Sequence, residues 1–338
     1  MNVASSGISR PTVLLQHVPG YDGAAVRSAV REQLDRCDPD GRRLGRGLRV
    51  LIKPNFIMPR PRHQAVQTDP AVILAVAEAL KDRGARPFVG DSPGWGRLDQ
   101  CVRVLDLDGP LARLGVPVTP LNQPVLREIP GCDGFRMRLS RVALDADAVV
   151  NLPKFKAHQQ LVATFAVKNM FGCVPGKRKA WWHFARGRSH DDFCAMLLGV
   201  CRLLAPVVTI VDGIVAMEGT GPIRGRPRAL GVLCGGPNPI ACEHVCCAIA
   251  GFDPRTLPIL QTARRQGIGP RSLDEIKIVG KSLEDVFCRD FEPAEQRPLR
   301  FSLPRVGRSI MRQVFLLLRA DRSTDDKDPS DERESRVQ

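Results

Sequence analysis

Short apolar segments of strand length alternate with segments of helical pattern along most of this chain of 338 residues. Residues 48–53 read as a buried strand, and a helix is predicted over 70–83, because Asp69 suits an N-cap, Pro70 the first turn and Gly84 the end. Further strands are predicted at 86–90, 147–152, 207–211, 230–234 and 275–279, with helices at 192–205 and 239–251. This alternation predicts an α/β fold with a largely parallel or mixed sheet and helices on both faces.

The alternation ends near residue 290, and this sets the predicted domain organisation. Residues 1–10 are expected to be a flexible leader, 11–290 a single large α/β domain, and 291–319 a C-terminal extension with an amphipathic helix. The last segment, 320–338, is predicted to be a disordered charged tail, because it lacks aromatic residues and any apolar period. Apolar side chains recur every four residues over 306–318, among arginines. We interpret that helix as packing on its own domain, and binding to a membrane surface through 305–319 is the alternative.

The location expected from the sequence is cytoplasmic. No apolar run reaches the ~20 residues that a spanning helix needs, and residues 1–18 lack the apolar core of a signal peptide. The 11 cysteines are an odd number in a long chain, which suits a reducing compartment better than a disulfide framework.

The densest cysteine group lies in the helix predicted over 239–251. Cys242 and Cys246 are four residues apart, so they would share one helix face, and His244 lies between them. A metal site is one interpretation of this spacing. Small buried side chains lining a helix are the interpretation that we favour.

Basic residues are in excess, and the lysines are unevenly distributed. The chain has 50 Lys and Arg against 36 Asp and Glu, which gives a net charge of +14. Arginines are spread throughout, whereas five of the ten lysines fall within 154–179. An aromatic content of 5%, with one tyrosine, and the lack of a binding motif argue against a nucleic-acid partner. The charge therefore indicates a local anion-binding segment.

Polar residues follow several of the predicted strands. Lys53 and Asn55 end the first strand, Asp91 ends the next and begins a turn with two glycines, and Asp212 ends a third. A glycine-rich loop with Glu218, Gly219 and Gly221 follows. Because ligands of open α/β sheets bind beyond the carboxyl ends of the strands, we expect these groups to line a site.

The central segment, 151–183, carries the strongest signal. If 153–158 is extended, as Pro153 favours, then Lys154, Lys156 and His158 project on one side. If 160–170 is helical, Thr164 and Lys168 share a face, and Gly172 would end that helix. Such a wall suits a carboxylate or a phosphate, with a lysine or the imidazole available for proton transfer.

The predicted site has three sets of residues. The catalytic candidates are Lys156, His158 and Lys168. The ligand-binding candidates are Lys53, Asn55, Asp91, Lys154, Thr164, Asn169, Gly172, His183, Asp212, Glu218, Gly219 and Gly221. If a divalent metal is bound, the candidate ligands are Asp91, Asp212 and Glu243.

The order of these motifs resembles a known bacterial and archaeal family. The motifs are Lys53-Pro54-Asn55, Thr68-Asp69-Pro70, Gly90-Asp91-Ser92, Asn151 to His158 (NLPKFKAH), Lys168 to Gly172 (KNMFG), Asp212-Gly213 and Glu218 to Pro222 (EGTGP). Together they resemble the family called domain of unknown function 362, over about 50–269. The resemblance implies a cytoplasmic α/β domain that is often joined to ferredoxin-like iron–sulfur segments.

The sequence departs from that family pattern at two points. The ferredoxin cysteine run is missing, so the resemblance does not extend to a bound cluster. The resemblance also implies aspartates near 238 and 243, where this chain has Asn238 and Glu243. Loss of the first carboxylate would weaken a cation site, whereas Glu243 keeps the charge on a longer arm.

Three functions remain open at this point. The first is an enzyme that binds an anionic carboxylate or phosphate molecule and uses the lysine–histidine segment for acid–base chemistry. The second is an iron–sulfur or other metal-linked accessory protein that handles a redox cofactor and has a redox partner. The third, a basic nucleic-acid-binding protein, has the least support. The pattern assigns no reaction class, cofactor or oligomeric state.

Overall fold

The computed structural model describes residues 10–176, 178–187 and 189–299. The strands are β1 (Thr12–His17), β2 (Arg49–Pro54), β3 (Arg86–Asp91), β4 (Val118–Pro120), β5 (Pro124–Glu128), β6 (Arg136–Ser140), β7 (Ala148–Leu152), β8 (Lys154–His158), β9 (Val162–Thr164), β10 (Val208–Glu218), β11 (Arg226–Gly236) and β12 (Lys277–Gly280). The helices are α1 (Gly23–Cys37), α2 (Pro70–Asp82), α3 (Leu98–Val104), α4 (Asp108–Arg113), α5 (Arg141–Leu144), α6 (Arg178–Ala185), α7 (His190–Leu204), α8 (Pro239–Ile249), α9 (Pro258–Arg265) and α10 (Leu283–Val286). Short 3-10 helices lie at Arg62–Gln64, Val167–Cys173, Pro254–Thr256 and Leu273–Glu275.

Ten of the described strands form one mixed sheet, in the order β12-β1-β11-β10-β7-β2-β3-β4, with β8 beside β10 and β9 beside β8. The pairs from β10 through β4 are parallel, whereas β11 runs antiparallel to both β1 and β10. The hairpin of β8 and β9 is antiparallel, and β8 itself runs parallel to β10. The carboxyl ends of β2, β3 and β7 therefore meet at one edge.

Helices cover both faces of this sheet, and each face has its own core. Successive side chains of β2 point to opposite faces, so Val50 and Ile52 pack in the core that includes Val30 of α1 and Val76 of α2. Leu51 points the other way, into the core that contains side chains of α7 and α8. The predicted α/β class with helices on both faces is confirmed.

Local sequence explains where two important helices begin. The Asp69 carboxylate accepts the N–H of Ala71 at the start of α2, and Pro70 occupies the first turn. Asn238 does the same at α8, where its side chain accepts from Ile240 and Ala241. A residue that the family resemblance marked as a lost metal ligand is thus the N-cap of a buried helix.

The helix considered for 160–170, as a condition for Thr164 and Lys168 to share a face, is not formed. The chain turns back after His158 and forms β9, which includes the β-branched residues Val162 and Thr164. A 3-10 helix then spans Val167–Cys173, so Gly172 lies within it and does not end a longer helix. The extended conformation predicted for 153–158 is confirmed, because β8 covers Lys154–His158.

The outer segments of the predicted domain organisation lie mostly outside the described residues. These are the leader up to residue 9, the amphipathic helix predicted over 306–318 and the tail over 320–338. The described residues all belong to one compact unit. Among them, no helix combines the length and the apolar character that crossing a membrane requires.

Candidate functional site

The ends of β2 and β3 bring Lys53 and Asp91 into a buried ion pair. Lys53 Nζ lies 3.0 Å from Asp91 Oδ2, and both side chains are almost fully buried. Lys53 also donates to the carbonyl of Pro54, and the Asp91 carboxylate accepts the N–H groups of Phe56 and Ser92. A Cβ atom on Gly172 would lie 2.4 Å from both Lys53 Nζ and Asp91 Oδ1, so only glycine fits beside this pair.

A second buried ion pair joins β8 to β10. Lys154 Nζ lies 2.8 Å from Asp212 Oδ2, and the parallel register places these two residues opposite each other. Tyr21 completes the group, since its hydroxyl donates to Asp212 Oδ1 at 2.8 Å and accepts from Lys154 at 2.7 Å. The backbone N–H of Asp69 donates to Asp212 as well. Burial and the neighbouring Asp212 charge raise the pKa of Tyr21, which remains a neutral phenol.

A chain of side-chain amides connects the strand ends to Lys156. Asn151 on β7 donates to the carbonyl of Ala166, and its oxygen accepts from Asn169 at 2.8 Å. Asn169 in turn accepts from the Asn55 amide at 2.9 Å. Because the Asn55 nitrogen is used in this way, its oxygen faces Lys156 Nζ and accepts a hydrogen bond from it.

Lys156 has no carboxylate partner among the described residues. Its Nζ donates to the Asn55 oxygen and to the carbonyl of Val66 at 2.8 Å, and the residue is only 1% exposed. Burial, with the charges of Lys168 and Lys154, lowers the pKa of Lys156 well below its ordinary value of 10.5. An anion could supply the missing counter-charge.

His158 and Lys168 are in direct contact. The backbone N–H of Gln160 donates to His158 Nδ1 at 3.0 Å, and Lys168 Nζ lies 2.6 Å from His158 Nε2. Burial and the neighbouring Lys168 charge lower the pKa of His158 well below 6.5. Burial also lowers the pKa of Lys168, to about 8. Lys168 is partly exposed, whereas His158 is buried.

Lys179 and His183 on α6 belong to the same neighbourhood. Lys179 Nζ donates to the backbone carbonyl of Ser92, in the turn after β3. Burial lowers the pKa of Lys179 to about 8, and burial with the Lys168 charge lowers that of His183 to about 3. We refer to Lys156, His158, Lys168 and Lys179 as the lysine site.

The remaining site residues predicted from the sequence lie around the lysine site. Thr164 on β9 lies opposite Lys156 in the hairpin register and is buried. Gly221 approaches the carbonyl of Ala157, since a Cβ there would lie 2.0 Å from it. Glu218 and Gly219 contact the segment that follows α10: Glu218 accepts the N–H of Glu292 at 3.2 Å, and Gly219 donates to the Glu292 carbonyl at 2.9 Å. Of these three loop residues, Gly221 is the one that contacts the β8–β9 hairpin in the described structure.

Glu243, a candidate metal ligand in the sequence, accepts backbone N–H groups and does not pair with a lysine among the described residues. Its Oε1 accepts the N–H groups of Ala166 and Val167 at 2.9 and 2.8 Å, directly before Lys168. Its Oε2 has no hydrogen-bond partner within the described part of the chain. Burial raises the pKa of Glu243 to about 7. Glu243 thus positions the 3-10 helix that carries Lys168.

The described residues contain no group of three or more His, Cys, Asp or Glu side chains that is arranged to hold a metal ion. All 11 cysteines are free thiols, and most of them are buried. Asp91 and Asp212, the other two metal candidates, are each paired with a lysine. The hydrogen bond with Cys234 and burial raise the pKa of Cys242, which disfavours the thiolate that a metal would need.

Four residues in or beside the lysine site were absent from the predicted sets, namely Tyr21, Thr68, Asn151 and Lys179. Tyr21 lies in the loop before α1, far along the chain from Lys154, and the only sequence signal was that it is the single tyrosine. Asn151 and Thr68 link strand ends, where Thr68 accepts from Asn55 N–H and donates to the Leu152 carbonyl. Both residues stand within the motifs quoted above, so their motif membership was a usable signal.

The fold and the site define an α/β protein with a buried lysine–histidine cluster beyond the carboxyl ends of its central strands. The chain belongs to the family described as domain of unknown function (DUF362), whose family model matches residues 50–248. It is 36% identical over 307 residues to a thylakoid-associated protein of Synechocystis sp., and the match covers 90% of this chain and 95% of that protein.

A solved structure with similarity to this chain is the lactate racemase apoprotein from Thermoanaerobacterium thermosaccharolyticum. The TM-score is 0.47 and the sequence identity is 8%. The match covers 70% of this chain and spans 57% of that one.

Proposed function

We propose that this protein is an enzyme that binds a small carboxylate or phosphate molecule at the lysine site and transfers protons through His158 and Lys168. One observation carries the proposal. Five lysine amines lie in or beside one buried region, yet only Lys53 and Lys154 have a carboxylate partner among the described residues. Lys156, Lys168 and Lys179 have neutral partners.

The lysines that pair with an aspartate and those that do not differ in what explains their burial. Lys53 and Lys154 each satisfy a buried aspartate, and this pairing explains their presence without any ligand. Burying an amine without a counter-charge raises the free energy of its charged form, which is the cause of the lowered pKa values of the other three. A bound anion would remove that penalty.

Proton transfer is supported by the composition of the site. His158 is a neutral imidazole, because burial lowers its pKa well below 6.5, and it contacts an amine whose pKa is about 8. Groups that can hold or release a proton at physiological pH are suited to general acid–base catalysis. Chemistry next to a bound carboxylate or phosphate therefore fits the arrangement.

Thermal unfolding in the presence of small anions tests the proposal. Inorganic phosphate, phosphate monoesters, monocarboxylates and dicarboxylates would be compared, each from micromolar to millimolar concentration. A ligand at 100 times its Kd stabilises a protein by about 2.7 kcal/mol, which is readily seen as a rise in Tm. We expect at least one class to raise the Tm of the wild type.

The matched variants are Lys156→Met, Lys168→Met and Lys81→Met, since Lys81 is exposed on α2. The first two should lose the anion-induced rise in Tm, and the third should keep it. An equal rise in all three variants would contradict the proposal, as would the lack of any response in the wild type.

The expected cytoplasmic location stays a prediction. The relative of Synechocystis sp. is thylakoid-associated by name. This name supports a comparison of membrane and supernatant fractions for the full chain as a second test, independent of the site.

A further inference from the structure

The hydrogen bonds of His158 determine which of its nitrogens carries the proton. A backbone N–H can only donate, so the contact from Gln160 requires Nδ1 of His158 to be an acceptor. The neutral imidazole then has its proton on Nε2. Nε2 therefore donates to the atom it faces, which is Lys168 Nζ at 2.6 Å.

An amine accepts a hydrogen bond only through a lone pair, which an ammonium group lacks. The hydrogen bond from His158 to Lys168 is therefore made by the neutral amine form of Lys168 and favours that form. The other two amines of the lysine site are not constrained in this way, because Lys156 and Lys179 both face oxygen atoms that accept from charged and neutral amines alike.

The groups around Lys168 also favour its neutral amine form. His158 on β8, Lys179 and His183 on α6, and Cys194 on α7 surround it, and none of them is an anion at neutral pH. A desolvated lysine beside another cationic group is the environment in which enzymes make lysine nucleophilic. Lys168 is the partly exposed member of the His158–Lys168 pair.

We propose that Lys168 is a nucleophile that condenses with the carbonyl carbon of a small aldehyde or 2-oxo acid, while Lys156 and Lys179 bind the anionic group of that molecule. This inference rests on the proposed anion-binding function and names its substrate class. Lys168 is then a catalytic residue, and His158 holds it neutral and exchanges protons with it.

The reaction balances with the groups present. The Nζ–carbon bond forms as the carbonyl π pair moves to oxygen, which takes the proton from His158 Nε2. The positively charged Nζ returns one of its protons to Nε2, and a carbinolamine results. Loss of its hydroxyl group together with the remaining Nζ proton releases water and leaves an imine, so His158 ends as it began.

Reductive trapping of the imine tests the inference. Glyoxylate, the smallest aldehyde with a carboxylate, would be added to the full chain at pH 7 with sodium cyanoborohydride. Peptide mapping by mass spectrometry then reports the carboxymethylated lysines. We expect Lys168 to react at least tenfold faster than Lys81 and Lys277, which are exposed. A rate at Lys168 that is no higher than at these two would overturn the inference.

The pH profile gives a second readout on the wild-type protein. Labelling of Lys168 should rise with a midpoint at or below about pH 8. His158→Gln should move the Lys168 midpoint upward, and His63→Gln, at an exposed position, should leave it unchanged. A Lys168 midpoint that is the same in His158→Gln and in the wild type would contradict the proposed role of His158.

Inorganic phosphate is an anion without a carbonyl group. It therefore tests the proposed anion binding separately from the nucleophilic role of Lys168. Phosphate should raise the Tm and protect Lys168 from glyoxylate. If phosphate stabilises the protein but Lys168 reacts no faster than Lys81, the nucleophile is wrong and the anion site stands. If none of the anions raises the Tm and labelling is also unselective, both fail.

Discussion

Lys154 and Lys156 are two residues apart on the same strand, yet their surroundings give them opposite roles. Lys154 neutralises Asp212, which is fully buried, whereas Lys156 contacts an amide oxygen and a backbone carbonyl. Removing one partner of a buried ion pair leaves an unpaired charge, but removing an unpaired amine also removes its cost of burial. The two residues therefore provide an internal comparison.

Lys154→Met should lower the free energy of unfolding by about 3–5 kcal/mol, because it leaves Asp212 without a cation. Lys156→Met loses two hydrogen bonds worth about 1 kcal/mol each, partly offset by the burial penalty that disappears, so a net loss of about 1 kcal/mol is expected. Urea denaturation at pH 7 measures both. Equal losses would mean that Lys156 has a structural role like that of Lys154.

Glu243 gives the protein a pH-dependent stability with a definite sign. Its pKa in the folded state, about 7, lies above its ordinary 4.5, so the native protein holds this proton more tightly than the unfolded chain. The stability contributed by the protonated carboxyl is fully present below about pH 4.5 and is lost as the pH rises to about 7.

Glu243→Gln should remove that dependence. Relative to the wild type, this variant should be more stable by on the order of 1–2 kcal/mol at pH 8 and should lose the advantage below pH 5. Denaturation curves between pH 5 and 8 report the difference, with Glu284→Gln as the control at an exposed position. A difference that stays constant across this range would show that Glu243 does not titrate there.

At the scale of elements, the 3-10 helix over Val167–Cys173 connects the two halves of the site. Its first turn is held by Glu243, Lys168 faces His158, Asn169 joins the amide chain, and Gly172 lies against the Lys53–Asp91 pair. The helix thus transmits the packing of α8 to the strand ends.

Gly172→Ala tests this contact. The added methyl group would overlap Lys53 and Asp91, which are buried and have little room to move, so we expect a loss of about 1–3 kcal/mol in stability. Gly94→Ala is the control, because the nearest atom to its Cβ position is 3.4 Å away. Thermal unfolding distinguishes the two, and equal Tm values would show that the helix is not pressed against the ion pair.

The strands β2, β3 and β7 and the helices α2, α7 and α8 could be predicted from local pattern, because apolar period and capping residues are encoded within short segments, whereas β1 and α1 were not predicted. The conformation of 160–170 could not be predicted, since it depends on contacts with residues that are distant in the chain. Backbone N–H groups of Ala166 and Val167 bind a carboxylate on α8, and β9 forms only because β8 offers an edge. Tertiary contacts therefore determine the conformation of this segment.

At the scale of the whole molecule, the lysine cluster was visible in the sequence. The sequence did not show which of these lysines pair with an aspartate. Which lysine meets an aspartate depends on the register between β8 and β10 and on the meeting of the β2 and β3 ends. Tyr21, which donates to Asp212, lies in the loop before α1, 191 residues earlier in the chain. Charge counting identifies such a cluster, whereas only the assembled sheet shows which amines lack a partner.

The central claim is that an anion supplies the charge that the lysine site lacks, and proton uptake on binding tests it most directly. An amine whose pKa is lowered by burial regains its proton when a counter-ion arrives. Calorimetric titration at pH 8 with the most stabilising anion, in buffers of different ionisation enthalpy, measures the protons taken up. The wild type should take up protons on binding, Lys81→Met should match it, and Lys156→Met should bind far more weakly. Binding without proton uptake, and with equal affinity in Lys156→Met, would contradict the account.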